Sequence, residues 1–420
     1  CDGQRQAGYY RQAVERASGK CAGRQVLRGF SGKYIAVKFS RRSDWSRQPN
    51  ALAQALETRR AAGVDSLDLT LSNPTRAGID YPEELWRVLE TAKGRVYTAD
   101  ARGLAVARQA VCAYYAARGI AVDCDRVRLT CSTSEAYTLL FKLLADPGQR
   151  VLVPRPSYPL FQYLAGLEGI EVGTYPLRYG DGHWSLDLDR LAAAIDEQTR
   201  AIVLVNPNNP TGSYISEAQR RAIEALACEC GLAIISDEVF YDYELDGPQG
   251  ISFATEGAGL HFALSGLSKV LALPQAKLGW MVVGGEAKLR DEALARLEII
   301  ADTYLSVGGA IQEALPELLA QCDRVQEEVQ RRVVTNYDLL KNSMGASVEI
   351  CTSEGGWYGV LRVEGADDEA LALGLLERED TLVHPGYFYD FPAGAYLVLS
   401  LLPANFAQGV EGLARFLARR

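Results

Sequence analysis

Ser265-Gly266-Leu267-Ser268-Lys269 closes the apolar run His261-Phe262-Ala263-Leu264. An apolar run this short predicts a buried strand rather than a helix. Gly266 is expected to let the chain turn sharply where a bulkier residue would clash. Lys269 is thereby delivered at a strand end, with apolar segments on both sides. A crowded lysine loses its proton more easily than one in water, and the neutral amine can attack a carbonyl carbon to form a Schiff base. The pentapeptide alone also describes a surface lysine in a loop. The rest of the chain decides between the two.

Four other groups stand at the ends of similar apolar runs. Ser132-Thr133-Ser134 opens a helix after Val127-Arg128-Leu129-Thr130, and free N–H groups, side-chain hydroxyls and the helix dipole there suit an anion. The same residues would also serve as an ordinary N-cap. Asp237 follows Leu232-Ala233-Ile234-Ile235, a carboxylate in a partly desolvated crevice that needs a cationic partner. Asn209 lies in the turn Asn206-Pro207-Asn208-Asn209-Pro210-Thr211-Gly212, and Tyr158 follows Val151-Leu152-Val153 in Pro154-Arg155-Pro156-Ser157-Tyr158. Singly, each has a bland structural explanation. Together, an anion site, a lysine, an isolated carboxylate, an amide and an aromatic ring fit one ligand, pyridoxal phosphate. Its phosphate would sit on Ser132, Thr133 and Ser134, its aldehyde on Lys269 and its pyridinium nitrogen on Asp237. O3′ would meet Asn209, and the ring would stack on Tyr158.

The elements that must position these residues repeat one design from residue 126 onward: a short apolar strand, a polar signature, then a helix. Strands alternating with helices predict an α/β fold with a mainly parallel sheet covered by helices on both faces. Ligands of such sheets bind outside the carboxyl ends of the strands, so the polar signatures should converge on one crevice. Upstream, Leu67–Leu71 alternates as a half-buried strand, and helices are expected over 50–62, 82–92 and 103–118. After about residue 303 the pattern changes. One long helical region (310–342), strands at Gly359–Val363 and Tyr396–Leu401, and helices near 367–378 and 406–419 suggest a smaller α+β domain. The expected organisation is an N-terminal arm (1–30), a segment joining the small domain (31–74), a large cofactor-binding domain (75–305) and a small C-terminal domain (306–420).

Composition narrows the function classes. The 420 residues carry a net charge of −9, which argues against nucleic acid as a partner because phosphate binding needs a basic face. No apolar run reaches membrane-spanning length, so no membrane partner is expected. Nine cysteines without a Cys-x-x-Cys pair read as reduced, small core residues of a cytoplasmic protein. His183, His261 and His384, the only histidines, are far apart, which speaks against a histidine-based metal site or a hydrolase triad.

In the order Asn-Pro-Asn-Asn-Pro-Thr-Gly (206–212), Ser-Asp-Glu-Val (236–239) and Gly-Leu-Ser-Lys (266–269), the chain resembles the fold-type I pyridoxal-phosphate enzymes of the class I/II aminotransferase family, over roughly residues 65–400. The resemblance implies transfer of an amino group between an amino acid or amine and a 2-oxo acid, with Lys269 and Asp237 catalytic. It implies a homodimer with shared active sites, because Tyr97, in Tyr-x-x-x-x-x-Gly ending at Gly103, matches the tyrosine that reaches the neighbouring subunit's cofactor phosphate.

Three positions depart from the family pattern. Lys277 stands where a phosphate-binding arginine is usual, keeping the charge but losing the bidentate fork. Phe240 replaces a tyrosine that would hydrogen-bond O3′, and Tyr241 beside it is expected to point elsewhere. Val398, in Val398-Leu399-Ser400, replaces the arginine that clamps the substrate α-carboxylate, a contact no apolar side chain can supply. Arg76, in the Asn-Pro-Thr-Arg turn, is the candidate substitute. A lyase or racemase on the same fold shares the cofactor chemistry, and a catalytically silent binding protein on this fold is the alternative of a different class.

Overall fold

The five apolar runs that end in polar signatures all lie in one sheet. A computed structural model describes residues 38–420 apart from 47, 91–96, 346–347 and 392–393. The expected arm at 1–30 lies outside the described residues. The first strand, β1 (Leu67–Asp68), belongs elsewhere. The large sheet contains β2 (Val127–Thr130), β3 (Arg150–Arg155), β4 (Glu171–Gly180), β5 (His183–Leu186), β6 (Thr199–Val205), β7 (Ala233–Asp237), β8 (Leu260–Gly266) and β9 (Gly279–Gly285). Their order is β2-β9-β8-β7-β6-β3-β4-β5. Pairing is parallel from β8 to β4 and antiparallel at β9 and β5, so the sheet is mainly parallel as expected.

These strands read as nearly continuous apolar runs because both faces are covered. Leu152, Ile202, Leu204, Ile234, Ala263 and Trp280 point into one core, with the helix Ala105–Ala116 packed there through Ala107 and Val111. Val151, Val153, Val203, Ile235, Phe262 and Met281 point into a second core, shared with Leu140 and Phe141 of the helix Thr133–Leu144. Successive side chains of one strand therefore feed opposite cores.

The small sheet has the order β10 (Val348–Cys351), β11 (Tyr358–Val363), β14 (Ala395–Ser400), β13 (His384–Pro385), all antiparallel. β1 pairs in parallel with β12 (Thr381–Leu382), which ties the N-terminal segment to this C-terminal region.

Several expectations need correction. The strand expected over Leu67–Leu71 stops at Asp68, since Asp68 Oδ1 takes the Thr70 amide (2.9 Å) and the Leu69 carbonyl turns to the Ser400 amide (2.8 Å). The long helix expected over 310–342 is two, Gly309–Leu319 and Cys322–Ser343. Ala320 and Gln321 bond back to the carbonyls of Pro316 and Leu318 and close the first before the second starts. The β4–β5 hairpin went unpredicted, although its signal is present: Asp181-Gly182, both at positive φ (50° and 79°), form the two-residue turn that such hairpins favour. The cysteines are not uniformly core residues: Cys228 and Cys230 are exposed, and Cys112 and Cys124 lie side by side with a Cα–Cα separation of 5.9 Å, because the turn after the helix Ala105–Ala116 folds back beside it. No helix among the described residues is long and apolar enough to cross a membrane.

Gly266 has a different reason from the sharp turn expected of it. Its φ of 171° is extended backbone that any residue adopts. The need is steric: a Cβ there would lie 2.8 Å from Gly279 Cα, its partner on β9. Gly266→Ala should therefore destabilise the protein by about 1–3 kcal/mol, the usual cost of overpacking. Urea denaturation checks this, with an unchanged midpoint counting against the close approach.

Candidate active site

Lys269 lies in the single turn of helix Leu267–Val270 that follows β8 directly. It is 6% exposed, and its Nζ stands 5.3 Å from the Phe240 ring and 5.0 Å from the Trp357 ring. Tyr243 holds the turn from below, its hydroxyl donating to the Lys269 carbonyl (2.6 Å). The amine is thus delivered into an aromatic enclosure in which its charged form is poorly solvated.

Asp237 ends β7, next to β8, and is 9% exposed. Its Oδ2 accepts from the Tyr137 hydroxyl (3.1 Å) and its Oδ1 from the Val239 amide (3.3 Å). Burial pushes its carboxyl up to about 6, against the pull of those two donors and of the Lys269 charge. Glu238, one residue on, points the other way and is satisfied structurally by Ser236 (2.8 Å), Ser252 (2.5 Å) and the Phe253 amide (2.7 Å).

The turn 206–212 is held from within. Asn206 accepts from the Ile215 amide (2.9 Å) and donates to the Ile251 carbonyl (2.9 Å), while Asn208 donates to Thr211 (2.9 Å) and to the Pro156 carbonyl (3.2 Å). Cis peptide bonds precede Pro207 and Pro210. Asn209, 8% exposed, leaves its side-chain Oδ1 without a hydrogen-bond partner among the described residues. Tyr158 is half-buried, with its ring 6.3 Å from Phe161 and close enough to Tyr137 to act on that phenol.

At the N-terminus of helix Thr133–Leu144, Ser132 acts as the N-cap and accepts from the Glu135 amide (3.2 Å). Its hydroxyl is therefore engaged in capping, the bland alternative, while the first-turn amides of Thr133 and Ser134 have no intrahelical acceptor. Lys277 is exposed, in the left-handed region at φ 52°, and its charge acts on the Cys131 thiol beside Ser132. The lysine and the helix end therefore face one place.

Two expected residues stand apart. Tyr97 is 78% exposed, lining a surface cleft with Tyr304 and Gln312 rather than this chain's own crevice. Arg76 is exposed, at the end of the short turn Pro74–Arg76, with no ion pair or hydrogen bond of its side chain among the described residues. Its segment nonetheless bridges the two sheets. Leu71 accepts from Ser400 Oγ (2.7 Å) at one end, and Tyr81 donates to the Ala272 carbonyl (2.7 Å), three residues past Lys269, at the other.

Sequence reasoning missed Tyr137 and Trp357. Tyr137 had a readable signal, since it lies one helical turn after Thr133 and so shares that face. Trp357, fully buried beside Lys269, had none, because it arrives from the bend before β11, some 90 residues later. Tyr241 does point elsewhere, its hydroxyl donating to Gly250 (2.8 Å).

This set could hold pyridoxal phosphate. A buried amine, a buried carboxylate, a buried side-chain amide with N–H groups to donate and a helix end faced by a cation match the cofactor's aldehyde, ring nitrogen, O3′ and phosphate in kind. The carboxylate also makes a testable case. Because the folded pKa of Asp237 lies above its unfolded value near 3.9, the folded state binds the proton more tightly, and stability is lost as pH rises from about 4 through about 6. In cofactor-free protein, the stability of wild type relative to Asp237→Asn should fall across that window and level off above it. Thermal unfolding at stepped pH measures it; a flat difference would refute the buried-carboxyl account.

Comparison with known proteins agrees with this geometry. The sequence profile of the family "Aminotransferase class I and II" matches residues 65–397. The glutamate-pyruvate aminotransferase AlaA of Haemophilus influenzae is 28% identical, over 85% of this chain and 91% of that protein. The alanine aminotransferase of Mycobacterium tuberculosis is likewise 28% identical, over 85% of this chain and 86% of its own length. The solved alanine aminotransferase from Pyrococcus furiosus shares the fold, with a TM-score of 0.82 and 23% identity over 91% of this chain and all of that one. The profile ends one residue before Val398, where the expected arginine is absent. With the fold, the buried lysine and carboxylate and the match over most of its length in agreement, the chain belongs to the class I and II aminotransferases, pyridoxal-phosphate-dependent enzymes that transfer amino groups.

Proposed function

We propose that Lys269 carries the cofactor and then serves as the base of the amino transfer, with Asp237 on the ring nitrogen. The observation that carries this reading is the pairing of a 6% exposed lysine and a 9% exposed aspartate at the ends of adjacent strands. When bound, pyridoxal phosphate supplies the electron-withdrawing ring that lets a proton leave the carbon bearing the amino group. The Lys269 amine holds and returns that proton, and the Phe240 and Trp357 rings keep water from it. Asp237 would meet the ring nitrogen as a carboxylate, which Tyr137 keeps oriented. Asn209 would donate to O3′ and Tyr158 would flank the ring. Ser132, Thr133, Ser134 and Lys277 would take the phosphate.

The same reading extends to assembly and substrate. A homodimer with shared sites would account for the 78% exposed ring of Tyr97 and for exposed Ile299 and Tyr304 (73% and 51%). Arg76 is the cation available to the carboxylate of the 2-oxo acid at the mouth of the crevice. A two-domain division near residues 74 and 305, with the N-terminal segment on the small domain, agrees with the β1–β12 pairing. The acidic charge and the lack of long apolar runs support a cytoplasmic enzyme.

Borohydride reduction of cofactor-loaded protein followed by peptide mapping should place the label on Lys269, and Lys269→Ala should lose turnover while keeping the fold. A label on another lysine ends the assignment. An amino donor added alone should yield pyridoxamine phosphate, which a lyase or racemase would not accumulate. Lys277→Ala removes a charged hydrogen bond of about 1.5–3 kcal/mol, so cofactor affinity should drop roughly ten- to hundredfold in an equilibrium titration. Unchanged affinity would take Lys277 out of the phosphate site.

A further inference from the structure

Lys269 stands on a helix of a single turn, Leu267–Val270, and a turn so short cannot hold itself. The last four carbonyls of any helix lack a donor from within it, which here is every carbonyl the helix has. The Leu267 carbonyl takes the amides of Leu271 (3.3 Å) and Leu273 (2.9 Å). The Lys269 carbonyl takes the Ala272 amide (3.0 Å) and the Tyr243 hydroxyl (2.6 Å). The Val270 carbonyl is met by side chains of the helix Cys322–Ser343, Gln326 Nε2 (3.1 Å) and Cys322 Sγ (3.6 Å). Tyr81 donates to the Ala272 carbonyl (2.7 Å). Ala272 itself is fully buried in the left-handed region at φ 52°, which a residue with a Cβ rarely adopts. Such a conformation persists only where its surroundings over-determine it. Those four side chains are the surroundings.

Gln326 is itself held in one orientation. Its Oε1 accepts from Arg118 Nη2 (2.8 Å), and its Nε2 donates to Asp242 Oδ2 (2.6 Å) as well as to Val270. Turning the amide over would set its oxygen against the carboxylate and its N–H groups against the guanidinium. Asp242 also accepts from the Tyr114 hydroxyl (2.7 Å) and from Arg118 Nε (2.6 Å), and the Arg118 guanidinium lies 3.8 Å over the Tyr114 ring. In the chain, Asp242 follows Phe240, whose ring is 5.3 Å from Lys269 Nζ, and directly precedes Tyr243, which holds the Lys269 carbonyl. One polar cluster thus clasps the turn that carries the amine and the loop that walls it. The flexible four-carbon stem of a lysine adds no order of its own, so the turn must fix the point from which the amine swings. A misplacement of about 1 Å between reacting atoms can cost on the order of a hundredfold in rate.

We infer that Gln326 and Tyr243 are positioning residues of the amino transfer. They hold the carbonyls of Val270 and Lys269 so that the amine meets the cofactor's aldehyde carbon, and later the carbon it deprotonates, from one fixed direction. Neither touches the reacting atoms. This rests on the reading that Lys269 carries the cofactor.

The test compares cofactor-loaded wild type with Gln326→Met and Tyr243→Phe, which remove the donor and keep nearly the same bulk. Asn336→Leu is the control. Asn336 lies further along the same helix, where its buried amide donates to the Leu401 (2.8 Å) and Pro403 (3.3 Å) carbonyls instead of to the lysine turn. The readouts are kcat, KM, Tm and the pH at which the cofactor's absorbance titrates, which is sensitive to how the lysine nitrogen is set against the ring. Both variants should move that midpoint by about half a pH unit or more, because a freed turn changes the balance between the two protonation states. They should also lower kcat about tenfold or more while KM stays within about threefold of wild type. Asn336→Leu should lower Tm and change neither. Should Gln326→Met not fold, Tyr243→Phe, which lacks a single oxygen, decides alone. A midpoint and kcat like those of wild type in either folded variant, or the same shifts in Asn336→Leu, overturns the proposal and leaves the aminotransferase reading standing. If the wild-type borohydride label lies on another lysine, both fall together.

Discussion

Everything in the crevice depends on how closely β8 and β9 approach at their ends. Gly266 and Gly279 are paired so tightly that a side chain on either would meet the other strand's backbone, at 2.8 Å in one direction and 3.1 Å in the other. The contact has two results. Lys269 emerges one helical turn from a strand end sealed between two cores, so its amine is enclosed instead of solvated. The chain returning to β9 also passes Lys277 across the N-terminus of helix Thr133–Leu144. A looser approach would move the reacting amine and the cation facing the helix end away from the positions that the other strands have prepared.

The carboxylates at the end of β7 show how the same local chemistry divides between function and structure. Asp237 and Glu238 are adjacent, so they leave the strand in opposite directions. Glu238 meets two hydroxyls and an amide and is a closed structural node. Asp237 meets a phenol and one amide among the described residues and lies within reach of the Lys269 charge. A buried carboxyl in that condition prefers its proton, and a cation placed opposite it, such as the cofactor's ring nitrogen, reverses the preference.

The small sheet completes the site through contacts that cross between the two halves. Gly212 is a glycine with φ 74° because a Cβ there would meet the Gly355 carbonyl at 2.6 Å, and the Gly355 amide donates to the Gly212 carbonyl (2.9 Å). The Ser157 amide donates to Tyr389 (2.9 Å), and Ser400 holds Leu71. These seams bring Trp357 and Tyr358 against Phe240 and Lys269. They also make the wall opposite the lysine aromatic and uncharged, a property of neither half alone.

What the sequence determined by itself was the part governed by short-range rules. Strands buried on both faces must be apolar runs, so the runs leading to Lys269, Asp237, Asn209, Tyr158 and Ser132–Ser134 were legible as strands of one mainly parallel sheet. The replacement of arginine by Val398 was equally legible, because an apolar side chain cannot bind an anion in any fold. Tertiary structure alone decided the rest. Tyr137 became the partner of Asp237 and Trp357 the neighbour of Lys269 through packing between elements roughly 90–100 residues apart, which no local pattern encodes. Gly266 proved to be required by a neighbouring strand and not by its own backbone angle. That Val398 shares a face with Val360 and His384 followed only from the register of β14 between β11 and β13. Register determines which side chains share a face, and it is set by the whole sheet and not by any one strand.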